Sequence, residues 1–367
     1  MKIMFVSAAN STHTARWVNA LAERGHEVYL VSNRGHEPKE DALNSRVKLY
    51  LMKHRGGKGY YLNAGELRKI AKRINPDVIN VHYASGYGTL ARKARLPKYI
   101  LSVWGSDVYD FPYESRVKNH ILKRNVRSAS YLASTSNCMA VQLKKVMQDE
   151  KLEITITPFG VDLNKFDPKK YKEIEKEELI IGNIKALEEI YGIEEMILAF
   201  RDLKKELEQE HYSRKIKLLI YGSGSKKEQY EDLINKQNLQ DSVFLKGKIP
   251  NTKVPEAISE FDIFCALSRK ESFGVAAVEA MAMKKPVVAS DADGFKEVIE
   301  DGKTGLIISR KEINKAKDAL KKLVLDEKMR TKMGNNGRQR VEQLYSWNDN
   351  VEKMLNLYER VRCDNEH

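Results

Sequence analysis

This chain of 367 residues has few cysteines, no long apolar run and no residues at metal-ligand spacings. Its three cysteines, Cys138, Cys265 and Cys363, lie far apart, which argues against a disulfide framework and against a zinc site. No apolar run approaches the roughly 20 residues of a transmembrane helix. The first residues lead into a strand without the profile of a signal peptide. We therefore expect a cytoplasmic protein with reduced thiols and no bound metal.

Acidic charge is scarce in the first half alone. Residues 1–160 hold 26 Lys and Arg against 13 Asp and Glu, whereas residues 161–367 hold 38 of each. Basic residues cluster at Lys53–Tyr61, at Arg68, Lys69, Lys72 and Arg73, and at Lys118, Lys123, Arg124 and Arg127. This excess favours an anionic partner, although it would also serve solubility. Because no nucleic-acid-binding motif is present, we expect peripheral attachment to the anionic inner face of the cell membrane and no nucleic-acid partner.

Short apolar runs alternate with amphipathic segments through both halves of the chain. This alternation is typical of doubly wound α/β domains, and the length suits two of them. Pro158, Gly160 and Pro168 precede a charged run, as in a linker between domains. We predict one α/β domain over residues 1–165 and a second over 166–345.

Two glutamates, Glu271 and Glu279, sit eight positions apart. Glu271 lies on the loop that enters a predicted helix of small residues, and Glu279 lies on the helix. The first backbone N–H groups of such a helix attract an anion, because the helix dipole adds to them. The unit suits a nucleotide diphosphate-sugar, with one carboxylate at the sugar and the other at the ribose. The alternative is that the two glutamates are ordinary surface residues with no shared role. The predicted helix argues against this, because it is too apolar to be exposed to solvent.

The segment that contains these glutamates resembles the signature of the retaining glycosyltransferases of family four, which have the two-domain GT-B fold. It has two glutamates separated by seven residues, and the second of them begins the sequence Glu-Ala-Met-Ala. Pro-Val-Val-Ala-Ser follows after three more residues. The resemblance implies two Rossmann-like doubly wound domains that face a central cleft. It also implies that a last helix, over 346–362, packs back on the first domain, although an ordinary helix on the second domain is the alternative.

The resemblance assigns the donor to the second domain. Asn183 stands in the place of the family's phosphate-binding arginine, and Tyr191-Gly192 in that of its lysine and glycine, so Lys185 is the nearby cation. The implied catalytic residues are Glu271, Lys185 and Asp107. The implied donor contacts are Ser272, Phe273, Gly274, Val275, Gly222 and Trp104 at the diphosphate and sugar, and Glu279, Lys248 and Ile249 at the ribose and base.

Two loops of the first domain complete the implied site. Ser11, Thr12 and His13 stand where family members often have a glycine pair, and they either cap a helix or hold the acceptor or a phosphate. Ser102–Asp107 resembles the family's His-Gly-x-Asp loop, with Trp104 in the histidine's place. Tryptophan stacks on a sugar ring but accepts no proton. Other histidines, such as His82 and His120, are expected to be structural or surface residues.

These features predict a retaining, metal-independent hexosyl- or N-acetylhexosaminyl-transferase that needs no cofactor. Its donor would be a nucleotide-sugar, UDP-linked rather than GDP-linked, and its acceptor a saccharide or lipid-linked saccharide of cell-surface polysaccharide assembly. No side chain is an obvious general base, so the departing diphosphate would take the proton. Two alternatives remain open: a nucleotide-sugar epimerase of the same fold, and a non-catalytic partner subunit of another glycosyltransferase.

Overall fold

The structure is a computed structural model that describes residues 1–171 and 177–366. Its contacts divide the chain into two units, Met1–Phe159 with Asn348–His367, and Gly160–Trp347. Each unit is built around its own parallel sheet. The division falls between Phe159 and Gly160, so the predicted boundary at residue 165 lies within the second unit.

In the part of the first unit that is described, seven parallel strands form one sheet in the order β3-β2-β1-β4-β5-β6-β7. The strands are β1 (Lys2–Val6), β2 (Glu27–Arg34), β3 (Lys48–Arg55), β4 (Val78–His82), β5 (Ile100–Val103), β6 (Tyr131–Ser134) and β7 (Thr155–Ile156). The helices are α1 (Thr12–Glu23), α2 (Gly56–Leu62), α3 (Ala64–Ile74), α4 (Gly86–Ala94), α5 (Ser106–Tyr109), α6 (Phe111–Glu114), α7 (Arg116–Ser128) and α8 (Asn137–Met147). The strand order reverses between β1 and β4, which pair directly. In open parallel sheets, ligands bind at the carboxyl ends of the strands beside such a reversal.

The central strands of this sheet are buried on both faces, as their continuous apolar runs predict. Met4 and Val6 of β1 belong to a buried cluster with Leu67 of α3 and Leu90 of α4. This packing holds the carboxyl ends of β1 and β4 in one place.

The second unit repeats the architecture: within its described residues, six parallel strands have the order β10-β9-β8-β11-β12-β13. The strands are β8 (Glu178–Ile184), β9 (Lys215–Tyr221), β10 (Val243–Gly247), β11 (Ile263–Ala266), β12 (Val287–Ser290) and β13 (Gly305–Ile308). The helices are α9 (Ile193–Gln209), α10 (Lys227–Lys236), α11 (Val254–Ser259), α12 (Val275–Ala282), α13 (Asp293–Val298), α14 (Ile313–Leu325) and α15 (Glu327–Leu344). Here the order reverses between β8 and β11, which also pair directly.

The last helix, α16 (Trp347–Glu366), packs on the first unit. The Asn80 amide of β4 donates a hydrogen bond to the Tyr358 hydroxyl at 2.7 Å. The ring of Phe5 also meets the Tyr358 ring edge-on, with 6.5 Å between centroids. Although α16 has 20 residues, neither it nor another described helix has the length and apolarity to cross a membrane.

Candidate functional site

Lys185 and Glu271 meet at the carboxyl edge of the second sheet. Lys185 directly follows β8, and Glu271 lies in the loop between β11 and α12, so the strand reversal brings them together. The Lys185 Nζ lies 2.8 Å from the Glu271 Oε2 and 4.6 Å above the ring of Tyr191. Burial opposes the charge of Lys185, but the Glu271 carboxylate outweighs it and raises the pKa of the lysine. The site therefore holds a protonated lysine.

Helix α12 begins beside this pair at a glycine. Gly274 has a φ of +97°, and a Cβ there would lie 2.9 Å from the Phe295 ring, so the position requires glycine. The N-cap residue Gly274 has no side chain that could cap the helix, and the first N–H groups of such a helix are suited to bind an anion. The residues Val275, Ala276 and Glu279 form its partly exposed face, whereas Ala277 and Val278 are buried. Glu279 also adds to the raised pKa of Lys185, so both predicted carboxylates act on the same lysine.

The glycine-rich loop after β9 packs against this site. A Cβ on Gly222 would lie 1.8 Å from the carbonyl oxygen of Lys185, so only glycine permits the contact. The Gly222 N–H donates to the carbonyl of Gly247 at 2.9 Å, and Lys248 and Ile249 follow on that loop. The loops after β8, β9 and β10 are thus joined at one edge. The predicted donor residues of the second unit share this edge.

Asn183, which stands where the family has an arginine, makes a hydrogen bond within the sheet. Its side chain is buried in β8, and its amide nitrogen donates to the carbonyl of Cys265 in β11 at 2.6 Å. The residue therefore bridges the two strands at the reversal. Lys185 is left as the cation that lies beside Glu271.

A second ion pair, which no sequence motif indicates, positions the loop that carries Glu271. Arg269 donates two hydrogen bonds to the Glu195 Oε1, at 3.0 and 2.8 Å, and its backbone N–H donates to the carbonyl of Ile190. Glu195 is buried on α9 and lies 74 positions away in the sequence. No local motif could have connected the two residues.

The catalytic assignment of Asp107 in the first unit is not supported by the geometry. Its side chain is fully buried, and its carboxylate accepts hydrogen bonds from the backbone N–H groups of Ala84, Trp104 and Gly105, at 2.8, 3.1 and 2.8 Å. Burial raises the pKa of Asp107, and these donors oppose that shift. The carboxylate is occupied by backbone, so Asp107 shapes the loop that carries Trp104.

The loop after β1 has a mainly structural arrangement. Ser11 caps α1 by accepting a hydrogen bond from the Thr14 N–H, and Thr12 is exposed. The His13 ring stacks on Phe159 with 4.0 Å between centroids. Of the three predicted residues, Ser11 also lines a cavity.

This cavity, of about 470 Å³, lies in the first unit, and we call it the tyrosine cavity. Its lining includes Tyr60, Tyr61, Tyr83, Tyr87, Trp104, His36 and His82. The sequence motifs predict Trp104 as a site residue and His82 as a structural residue, and no motif indicates Tyr60 or Tyr87 as part of a site. A run of tyrosines after β3 and β4 is the available signal, but tyrosine is equally common in cores.

Two family models match the chain. "Glycosyl transferases group 1" matches residues 164–340, and "Glycosyl transferase 4-like" matches residues 2–136. Among curated relatives, the chain is 24% identical over 361 residues to N-acetyl-alpha-D-glucosaminyl L-malate synthase of Bacillus anthracis, which covers 94% of this chain and 91% of that protein.

Solved structures share the fold over nearly the whole chain. Sucrose-phosphate synthase from Thermosynechococcus elongatus superimposes with a TM-score of 0.83 and 18% identity, and 99% of each chain is covered. HepE from Anabaena, in complex with UDP, has a TM-score of 0.80 and 15% identity, over 98% of this chain and 100% of that one. At such identities the likeness shows the fold alone. The two family models show that this chain belongs to the group 1 glycosyltransferases, and the solved structures show that it has the GT-B fold.

Proposed function

We propose that this glycosyltransferase moves a sugar from a UDP-linked donor to a saccharide or lipid-linked saccharide and retains the anomeric configuration. Assembly of a cell-surface polysaccharide is the role that we propose for it. The observation that carries the proposal is the Lys185–Glu271 pair beside the uncapped start of α12. A protonated lysine and a helix N-terminus are both suited to a diphosphate.

The donor would lie along the open face of α12. The N–H groups of residues 273–275 and Lys185 would hold the diphosphate, Glu271 the sugar hydroxyls, and Glu279 the ribose. Lys248 and Ile249 would lie at the base. HepE, a protein of the same fold, was crystallised with UDP, and the Bacillus anthracis relative is named an N-acetyl-alpha-D-glucosaminyl L-malate synthase. We therefore favour a UDP-hexose or a UDP-N-acetylhexosamine.

Leaving-group stabilisation would supply most of the catalysis. As the sugar–phosphate bond breaks, negative charge develops on the diphosphate, and Lys185 and the start of α12 would stabilise it. The acceptor hydroxyl would attack from the face that the diphosphate leaves and pass its proton to the diphosphate. The test is the product's configuration: NMR of the first product should show the donor's anomeric configuration. An inverted product would contradict this mechanism.

Metal independence is a separate part of the proposal. Lys185 and the helix N-terminus would provide the positive charge that a divalent ion provides in other transferases. Turnover should therefore persist in excess EDTA. Loss of turnover under EDTA that a divalent ion restores would contradict it.

Attachment to an anionic membrane would bring the enzyme to a lipid-linked acceptor. Arg68, Lys69, Lys72 and Arg73 are all exposed on α3, opposite its buried Leu67 and Ile70. Exposed apolar side chains lie at Leu62 of α2 and Val117 of α7. Each basic residue near an anionic surface contributes about 1 kcal/mol. We expect cosedimentation with phosphatidylglycerol vesicles but not phosphatidylcholine vesicles, and weaker binding in high salt; equal binding to both would contradict this.

Asn183 is the observation that favours a second candidate, a non-catalytic partner subunit. With Asn183 buried between strands, the site lacks the family's arginine. A thermal-shift screen against UDP-, GDP-, ADP- and dTDP-sugars, followed by an assay of UDP-sugar hydrolysis, separates the candidates. Stabilisation by a UDP-sugar together with slow hydrolysis supports the transferase. An absence of nucleotide binding supports the subunit, and conversion of the UDP-sugar to its epimer supports a nucleotide-sugar epimerase.

A further inference from the structure

Arg269 joins two segments of the second unit that are far apart in sequence. One is the loop after β11 that carries Glu271, residues 267–274, which we call the Glu271 loop. The other is residues 189–192, between β8 and α9, which we call the Tyr191 segment. The backbone N–H of Arg269 donates to the carbonyl of Ile190 at 2.8 Å, and its guanidinium binds the carboxylate of Glu189. Backbone and side chain of one residue therefore both hold the Tyr191 segment.

The same guanidinium also binds a buried carboxylate at the start of α9. Arg269 donates to the Glu195 Oε1 from Nε and from a terminal nitrogen, at 3.0 and 2.8 Å, and the Glu195 side chain is 10% exposed. The Glu195 Oε2 is buried and has no hydrogen-bond partner among the described residues. Glu195 thus depends on Arg269 for its countercharge. Since a buried ion pair is often no more stabilising than apolar side chains of similar volume, stability alone is a poor explanation for this one.

The two segments also touch through their backbones. Gly192 has a φ of +65°, and a Cβ there would lie 2.1 Å from the carbonyl oxygen of Leu267. Glycine therefore permits a contact that another residue would prevent. Leu267 and Arg269 are two residues apart on the Glu271 loop, so they hold the Tyr191 segment at neighbouring points.

The Glu271 loop is itself anchored within the second unit. The Gly294 N–H donates to the carbonyl of Glu271 at 2.8 Å, and the Ser290 hydroxyl donates to the carbonyl of Ser268. Arg269 therefore holds the Tyr191 segment from a fixed base.

Lys185 is where the two joined segments meet. Its Nζ lies 2.8 Å from the Glu271 Oε2 and 4.6 Å from the centre of the Tyr191 ring. An ion pair and a cation–π contact both act on this one ammonium. Each comes from a different segment, so the surroundings of the ammonium depend on how the segments are joined.

We propose that Arg269 is a positioning residue of the transferase, which joins the Tyr191 segment to the Glu271 loop and so holds Tyr191 and Glu271 against the Lys185 ammonium. This rests on the proposed function, in which that ammonium stabilises the departing diphosphate. Arg269 would act through Lys185 and would not bind the donor itself.

The first test measures Lys185 directly and needs no turnover. Trace acetylation with acetic anhydride, followed by mass spectrometry of the peptides, gives the reactivity of each lysine amine, which is low when the amine is held protonated. Arg269→Met should raise the reactivity of Lys185 about tenfold, the change expected when the pKa of an amine falls by about one. Lys217 reports general loosening of the fold, because it pairs with Glu178 at 2.6 Å within the sheet and should keep its wild-type reactivity.

The second test measures the kcat of UDP-sugar turnover. Arg269→Met should lower it about 10- to 100-fold, because the charge at the reacting bond is misplaced. In a protein that already carries Lys185→Met, the same change should lower kcat no further, since no ammonium is left to position. Arg201→Met is the matched control: Arg201 lies on α9 and pairs with Asp202 at 2.8 Å, and its loss should leave kcat unchanged.

Arg269→Lys is a second variant should Arg269→Met fold poorly. Lysine keeps a countercharge for the buried Glu195, but it lacks the planar fork that binds two carboxylates at once. It should therefore fold and show the same two changes at smaller size.

The possible results separate this inference from the proposed function. A rise in reactivity at Lys185 but not at Lys217, with losses of kcat that do not multiply, supports the positioning role. An unchanged Lys185 in a folded variant, an equal rise at both lysines, or losses that multiply would overturn it. A wild-type protein that transfers no sugar would overturn the transferase, whereas a selective rise at Lys185 would still show that Arg269 holds the ammonium in place.

Discussion

Lys185 and Glu271 form an ion pair, with the Nζ 2.8 Å from the Oε2, although 86 positions separate them in the sequence. Each residue follows a strand, and the two strands are neighbours at the reversal of the second sheet. The topology therefore creates the pair. A diphosphate bound at this edge would interact with Lys185 while Glu271 is still paired with it. Glu271 would therefore also fix the position of the lysine's positive charge.

Lys185→Met should lower the kcat of UDP-sugar turnover by about 10²- to 10³-fold, because the charge that would stabilise the departing diphosphate is lost. Release of UDP measures the effect, and a thermal melt checks folding. Lys217→Met is the matched control, since Lys217 also pairs with a glutamate, Glu178, at 2.6 Å, but from within β9. A kcat equal to that of the wild type in Lys185→Met would remove this lysine from the mechanism.

Asp107→Ala should reduce the free energy of unfolding by about 3 kcal/mol, because three backbone N–H groups, two of them buried, lose their acceptor. Asp107→Asn keeps an oxygen for some of these donors and should lose less. Urea unfolding measures both variants. If Asp107→Asn folded stably and yet lost all turnover, a catalytic role for this carboxylate would be supported after all.

His82 should make the protein less stable in acid. Burial lowers its pKa in the folded state to about 3, against an ordinary value of 6.5, so below about pH 6.5 the unfolded chain binds a proton that the folded chain does not. Stability is therefore lost as the pH falls from about 6.5 toward 3. Between pH 7 and 5, the free energy of unfolding of the wild type should fall by about 2 kcal/mol relative to that of His82→Phe. If the free energy of unfolding of the two proteins changed equally with pH, the prediction would be wrong, because His82 would then bind a proton in the folded state.

Gly86→Ala and Gly65→Ala make the same change near the starts of two helices, with opposite expected results. A Cβ at Gly86 would lie 2.5 Å from the Tyr60 ring, whereas at Gly65 nothing lies within 4 Å. Gly86→Ala should cost about 1–3 kcal/mol of unfolding free energy through overpacking. Gly65→Ala should gain up to about 1 kcal/mol, because alanine favours the helix. Similar effects from both would mean that the Tyr60 ring moves aside freely.

Much of the fold is predictable from the sequence because buried parallel strands leave continuous apolar runs. The apolar runs predict strands over 78–82 and 131–134, and the amphipathic pattern predicts a helix over 64–74. Strands β4 and β6 and helix α3 have these bounds. Helix α2 is not predicted, because its three glycines disfavour a helix and its sequence stands out only as a basic cluster. Tertiary packing overrides that propensity: a Cβ on Gly59 would lie 2.6 Å from the His54 carbonyl oxygen, so the glycine permits close approach.

The candidate site is predictable where its residues are neighbours in sequence. Glu271, Gly274 and Glu279 form one local motif, and they lie together at one edge of the second sheet. The role of Asn183 depends on Cys265, which is 82 positions away, and no local pattern reports such a pairing. The tyrosine cavity escapes prediction for the same reason, because several separate loops and helices contribute to it.

Because α16 contacts Asn80 and Phe5, the first unit is closed by residues from the far end of the chain. The second unit is continuous in sequence and has all its residues before α16 is made. On the ribosome, therefore, the half that is synthesised second is the first that can be completed. Until α16 has been synthesised, the sheet of the first unit lacks the hydrogen bond between Asn80 and Tyr358.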